Sequence, residues 1–271
     1  MTAKERFKRF ASRFIQDNRR QWAFRTLARA ARFYDRSWEH PNFEIGENGE
    51  RALLRSLGGE GIRTVYDVGA NIGDWSLDAS RLFPSATVHA FEPVPDTYAT
   101  LLGALKGADR ITPHPFGLSE ADGIAQFTYY GAENSFLSTM AMNVHDHLPS
   151  TNISIQLRRG DEVMRELATS RVDFLKIDVE GMEYEVMCGF GNALAAARIG
   201  LIQFEKQPGR RLLKDYFVLL GRHNYRIGKI FSRYVDFRPY DSAQETTAGP
   251  NYVAVSADRT ALIDRLQRGF D

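Results

Sequence analysis

The chain has 271 residues, 43% hydrophobic, 25% charged and 12% aromatic, with a formal net charge of +1. These proportions exclude collagen-like, low-complexity and largely disordered chains, and the length allows a sizeable core in one or two domains. The near-neutral total conceals a split. Residues 1–36 hold eleven Lys and Arg against Glu5, Asp17 and Asp35, a local charge of +8 that leaves −7 on the remainder.

In chain order, residues 1–36 read as a basic amphipathic helical arm. Phe7, Phe10, Ala11, Phe14 and Ile15 recur at helical spacing, and Ala23, Leu27, Ala30, Ala31 and Tyr34 form a second series after Asp17-Asn18. Three roles are open to the arm: a cap that buries its aromatics on the domain that follows, a peripheral contact with anionic membrane, or a homodimer arm or acceptor lid. No recognition motif accompanies its charge, so nucleic acid is not an expected partner. Residues 37–61, with Pro41 and several glycines, read as a connector around a short helix near 49–57.

From residue 62 to 271 one domain is expected. Apolar runs at 62–68, 87–91, 110–115, 172–178 and 200–205 read as strands, and helical patterns at 75–83, 96–105 and 183–197 alternate with them. This predicts an α/β fold with a doubly wound, mainly parallel sheet. Segments 125–130 and 153–157 read as strands flanking a polar loop, an insertion over the sheet's carboxyl edge, and 225–231 with 251–256 predict a closing antiparallel hairpin. Cys188 is the only cysteine, which excludes an intramolecular disulfide and a cysteine-based zinc site; it reads as a buried helical position. No apolar run approaches a membrane span and the basic N-terminus lacks an apolar signal core, so the expected location is cytoplasmic, with the inner membrane surface open to the arm.

The chemistry concentrates after the first strand, in Asp67-Val-Gly69-Ala70-Asn71-Ile-Gly73. Gly69 permits close approach of a ligand, Gly73 starts the next helix near it, and Asp67 is placed to accept from an ammonium. Glu92, at the end of the second strand, suits the two hydroxyls of a ribose. The G-x-x-x-G spacing departs from G-x-G-x-x-G and disfavours a nicotinamide dinucleotide.

Asp67–Gly73 with Glu92 resembles the first two motifs of the class I S-adenosylmethionine-dependent methyltransferases, whose sheet is Rossmann-like and seven-stranded. The string Lys176-Ile-Asp178-Val-Glu180-Gly181 resembles the FkbM-type branch, and Asn251-Tyr-Val-Ala is similar to its closing strand. The resemblance implies S-adenosylmethionine as cofactor and methyl transfer to a small-molecule or glycan hydroxyl. It also implies that Gly69, Asn71 and Gly73, with Ala70, hold the methionine part, Glu92 and Pro93 the ribose side, and Leu118 and Ser119 the adenine.

A hydroxyl acceptor needs a base near the sulfonium, and ligands of such sheets lie beyond the strands' carboxyl ends. The candidates are Asp178, also placed against the cofactor, Glu180 and Glu205. Lys176, inside an apolar strand, is expected to pair with an acid. No metal is expected: His145-Asp146-His147 reads as a solvated loop, since Mg²⁺ prefers oxygen ligands. The segment 134–138 is a candidate acceptor contact, and His40, His114 and His223 have no partner in sequence. No Asn/Asp-Pro-Pro-aromatic motif follows the fourth strand, which disfavours an exocyclic amine. The competing class is a non-catalytic cofactor- or nucleotide-binding scaffold recruited to membranes by the arm.

Overall fold

Thr2 opens the first helix, accepting from the Glu5 amide while the Glu5 carboxylate accepts from the Thr2 amide, so two otherwise free donors are satisfied. The helix α1 (Ala3–Asn18) is followed by α2 (Trp22–Glu39). The computed structural model describes residues 1–39, 46–129, 150–207, 211–246 and 251–270. Residues 1–39 fall in one compact unit and the other described residues in a second. No residue of α1 is buried, and Phe7, Phe10, Phe14, Trp22 and Trp38 are exposed. Two helices by themselves do not enclose a core.

The second unit opens with α3 (Glu50–Ser56), β1 (Thr64–Val68), α4 (Asp74–Leu82), β2 (Thr87–Phe91), α5 (Pro95–Ala104) and β3 (Ile111–His114). A three-stranded insertion follows: β4 (Gly117–Ser119), β5 (Gly123–Tyr129) and β6 (Thr151–Arg159), with β6 antiparallel to β5 and parallel to β4. Next come α6 (Gly160–Glu166), β7 (Val172–Ile177), α7 (Glu183–Gly189), α8 (Gly191–Ala195) and β8 (Ile199–Glu205). The chain ends with α9 (Leu213–Arg222), β9 (Tyr225–Ile230), β10 (Val235–Asp236), β11 (Asn251–Ser256) and α10 (Thr260–Arg268). The stretch 183–197, expected as one helix, is two, joined at Phe190.

The main sheet has the order β10-β9-β11-β8-β7-β1-β2-β3. The five strands from β8 to β3 are parallel, and β11 runs antiparallel between β8 and β9. This is the Rossmann-like class I architecture with one addition, the two-residue β10, which makes eight strands where seven were expected. Chain order reverses at β1, so a crevice opens between the carboxyl ends of β1 and β7.

Side chains alternate across the sheet and divide the core in two. Val65, Phe174, Leu201 and Val255 lie in register on one face with Leu53, Leu54 and Leu57 packed over them; Tyr66, Leu175, Ile202 and Ala254 lie on the other. The three leucines around α3 are wholly buried, so the residues near 50, expected in a connector, belong to the core of the second unit. Truncating one of them to Ala costs ~2–5 kcal/mol. One level nearer the crevice the first face turns polar, with Asp67, Lys176 and Gln203 in register.

His89 and His114 stack on the other face at the β2–β3 pair, with Nδ1 of the first 3.1 Å from Nε2 of the second. Burial, reinforced by the neighbouring imidazole, pushes His114 down to about 4. The unfolded chain therefore binds a proton more readily, and this histidine's contribution to stability is complete above about 6.5 and lost as the pH falls towards about 4. Urea unfolding across that window is expected to show a steeper acid loss for the native protein than for His114→Gln; identical slopes would remove the histidine pair as the cause.

Candidate active site

The turn after β1 is built by backbone bonds. Gly69 and Ala70 both donate to the Phe91 carbonyl at 3.0 Å, and Gly73 donates to the Ala70 carbonyl at 2.9 Å. Gly69 and Gly73 have φ of +83° and +95°, and Asn71 also has positive φ. A Cβ on Gly69 would lie 1.8 Å from the Asp178 carbonyl oxygen, and one on Gly73 2.7 Å from Leu101 Cδ1. The first glycine thus permits contact between the β1 turn and the β7 end, and the second permits packing against α5. These are packing roles, and Gly69 also lines the pocket.

The carboxylate of Glu92 is buried and accepts from the Asn71 amide at 3.0 Å and the Val94 amide at 2.9 Å. Desolvation outweighs those bonds and pushes it up to about 7. Across the crevice the chain leaves β7 through Asp178, Val179, Glu180 and Gly181, and both Glu180 and Gly181 have positive φ. Glu183 fixes this loop, because its Oε1 accepts from the Val179 and Gly181 amides at 3.2 and 2.9 Å.

Beneath the loops Lys176 is almost closed off, with 7% of its side chain exposed. Its Nζ lies 3.3 Å from both Asp67 Oδ1 and Asp178 Oδ2. Against the cost of burial these carboxylates hold the lysine above its usual range. Asp178 is held below the usual range by Lys176, with a bond donated by Glu205 adding to the effect. Glu205 is pushed up to about 10 by burial and then by the Asp178 charge, so it carries the proton of that bond. Glu180, which accepts from Gln207 Nε2, is pushed up to about 8 by burial and then by Asp178. Three acids at two adjacent strand ends are thus spread into an ionised, an intermediate and a protonated group.

A pocket opens here, and of the predicted residues Gly69, Asn71, Glu92, Pro93, Leu118, Asp178 and Glu180 line it. Five others do not. Asp67, read as an ammonium acceptor, is wholly buried and accepts from Ser76 Oγ at 2.7 Å as well as pairing with Lys176. Ala70 and Gly73 are buried in the turn, and Ser119 is buried where its carbonyl packs against Gly189 of α7. Glu205 stands behind Asp178. Cys188, expected to be buried, is half-buried on α7. The motif 145–147, the segment 134–138 and His40 lie outside the described residues.

Sequence reading missed the far wall, made by Phe127 and Tyr129 of β5 with Ile155 and Leu157 of β6. The alternation within 125–130 and 153–157 was its available signal. It also missed Glu50, a buried carboxylate on α3 that accepts from Asn48 Nδ2 at 2.6 Å, Asn251 Nδ2 at 3.1 Å and Gln203 Nε2 at 2.6 Å. No local pattern marks it, because its partners come from distant strands.

The family model described as a methyltransferase FkbM domain matches residues 67–227. The chain is 31% identical over 161 residues to the hexuronic acid methyltransferase AglP of Haloferax volcanii, covering 57% of this chain and 62% of that one. It is 30% identical over 189 residues to the 31-O-demethyl-FK506 methyltransferase FkbM of Streptomyces tacrolimicus, covering 60% and 72%. A third match, 32% over 203 residues, is to the AMB antimetabolite synthetase AmbE of Pseudomonas aeruginosa, covering 60% of this chain and 9% of that protein. The chain thus spans less than two thirds of AglP and a small part of AmbE.

Gly69→Ala joins a positive φ to a backbone overlap, and is expected to destabilise the protein by at least ~1–3 kcal/mol while disturbing the β7 end. Gly59→Ala, with nothing within 4 Å of its Cβ, should stay within ~0.5 kcal/mol of the parent. Equal unfolding midpoints for the two variants would refute the close-approach role.

Proposed function

Because the chain belongs to the FkbM methyltransferase family, we propose that it methylates a hydroxyl of a saccharide or secondary metabolite, with Glu180 as the general base. S-adenosylmethionine, the family's methyl donor, supplies a methyl group already activated by a sulfonium charge. The pocket's residues suit that molecule. Asn71 Oδ1 is buried without a partner among the described residues, an acceptor for the N–H of an amino acid moiety. Glu92 keeps lone pairs beyond its two amide bonds for ribose hydroxyls, while Pro93, Leu118 and Leu157 offer an apolar surface to a purine.

The observation that carries the choice of base is the spread of the three acids. A base works best with a pKa near the working pH. Asp178 is held too low to draw a proton strongly, and Glu205 already has one. Glu180 lies between them and lines the pocket. In this reading Glu180 takes the acceptor's proton, Asp178 orients the hydroxyl, and Glu205 keeps Asp178 in place. Positioning of this kind accounts for up to ~7–11 kcal/mol of a barrier. AglP and FkbM, named for a hexuronic acid and a 31-O position, support an oxygen acceptor.

The test is release of S-adenosylhomocysteine on a panel of uronic-acid glycans and hydroxylated polyketides. No binding of S-adenosylmethionine, or transfer to amines alone, would overturn the proposal. The deprotonated form of Glu180 is the active one, so the rate should rise with pH through about 8 and level off above it. Glu180→Gln is expected to lower kcat by ~10²–10⁴-fold and abolish that rise, with cofactor affinity little changed. Glu205→Gln keeps a neutral donor and should lose far less; a reversed ranking would move the base to Glu205.

A further inference from the structure

The helices of residues 1–39 carry many exposed large apolar side chains. On α1, Phe7, Phe10, Phe14 and Ile15 share a face and are exposed; on α2, Leu27, Tyr34 and Trp38 form another exposed face, while the exposed Trp22 and Phe33 flank the arginine side. Soluble proteins seldom leave so many large apolar side chains open in forty residues. Opposite these faces run Arg6, Arg9 and Arg13 on α1 and Arg25, Arg29 and Arg32 on α2, each series at helical spacing. Between the helices Arg19, Arg20, Arg25, Arg29 and Arg32 line one groove together with Phe24 and with Ile15 at the edge of the α1 apolar face. Among the described residues none of these arginines forms an ion pair with a carboxylate.

We propose that residues 1–39 are a docking element for an anionic lipid surface, lying in the headgroup layer with the Phe and Trp faces towards the acyl chains and the arginines on lipid phosphates. Three features select this occupant. Trp and Tyr favour the boundary between water and hydrocarbon, and Arg stems reach along apolar surface to keep the guanidinium at the headgroups. A second copy of residues 1–36 would set +8 against +8. A nucleic acid would use the arginines but leave the opposite aromatic faces in water. No helix among the described residues is long and apolar enough to cross a bilayer, so the arm lies on the surface.

The test is sedimentation of the full chain with vesicles of phosphatidylcholine alone and of phosphatidylcholine with phosphatidylglycerol. Binding is expected to the second and to weaken with salt, with a blue shift of tryptophan emission, since Trp38 of the apolar face enters the interface while Trp75 is already buried. Each Lys or Arg near an anionic surface contributes about fivefold in partitioning, so Arg25→Glu/Arg29→Glu/Arg32→Glu should lower it by more than ~100-fold. Phe10→Ser/Phe14→Ser should lower it with the charge intact. S-adenosylmethionine binding measured on both variants checks that the second unit is folded. Equal partitioning to the two vesicle types, or none, would overturn the proposal. So would a vesicle-free dimer dissolved by Phe10→Ser/Phe14→Ser, or RNA binding lost with the arginine triple variant while lipid binding persists.

Discussion

Lys176 occupies the middle of the sheet with its ammonium equidistant from Asp67 and Asp178, and the site is organised around that cation. A lysine at this depth is tolerated only with carboxylates beside it; Asp67 comes from β1 and Asp178 from just past the end of β7, the lysine's own strand. Asp67 is held from the far side by Ser76 of α4, and Asp178 is held by the proton on Glu205. The charge therefore ties β1, β7 and β8 together at the level where the pocket begins. It also sets the order of the acids. Burial, and then the charge of Asp178, makes ionisation of Glu205 and Glu180 harder, so neighbouring carboxyls of the same chemistry differ in how readily they ionise.

Above this level backbone geometry does the corresponding work. The turn after β1 and the loop after β7 both use left-handed residues, Asn71 and Glu180 among them, and touch where Gly69 meets the Asp178 carbonyl. Non-glycine residues in that conformation persist where surrounding bonds hold them. Here Glu92 holds Asn71 through its amide, and Glu183 holds the loop on both sides of Glu180.

Much of this was legible in sequence where chemistry is local. The strand–turn–helix with Glu92 downstream is a contiguous pattern, and the alternation in 125–130 and 153–157 foretold β5 and β6 against each other. What was hidden depends on register. Asp67 ends up beneath the pocket because its side of β1 faces α4 and Lys176, and no residue near it in sequence says so. Glu50 looked like one helix acid among others, yet it is buried among the amides of Asn48, Gln203 and Asn251. Likewise, a helical periodicity marks the apolar faces of residues 1–36 without saying whether anything covers them.

The Glu50 cluster bears on how relatives of this protein exchange parts. Gln203 lies within the family-matched segment 67–227, whereas Glu50 precedes it and Asn251 follows it. The segment that defines the family therefore reaches a finished interior only when both flanks contribute. A hybrid that transplanted the shared segment alone would seal mismatched polar groups beside Lys176 and Asp178. Any successful recombination must inherit residues 48–50 and 251 as a set with position 203, although some two hundred residues of chain separate them.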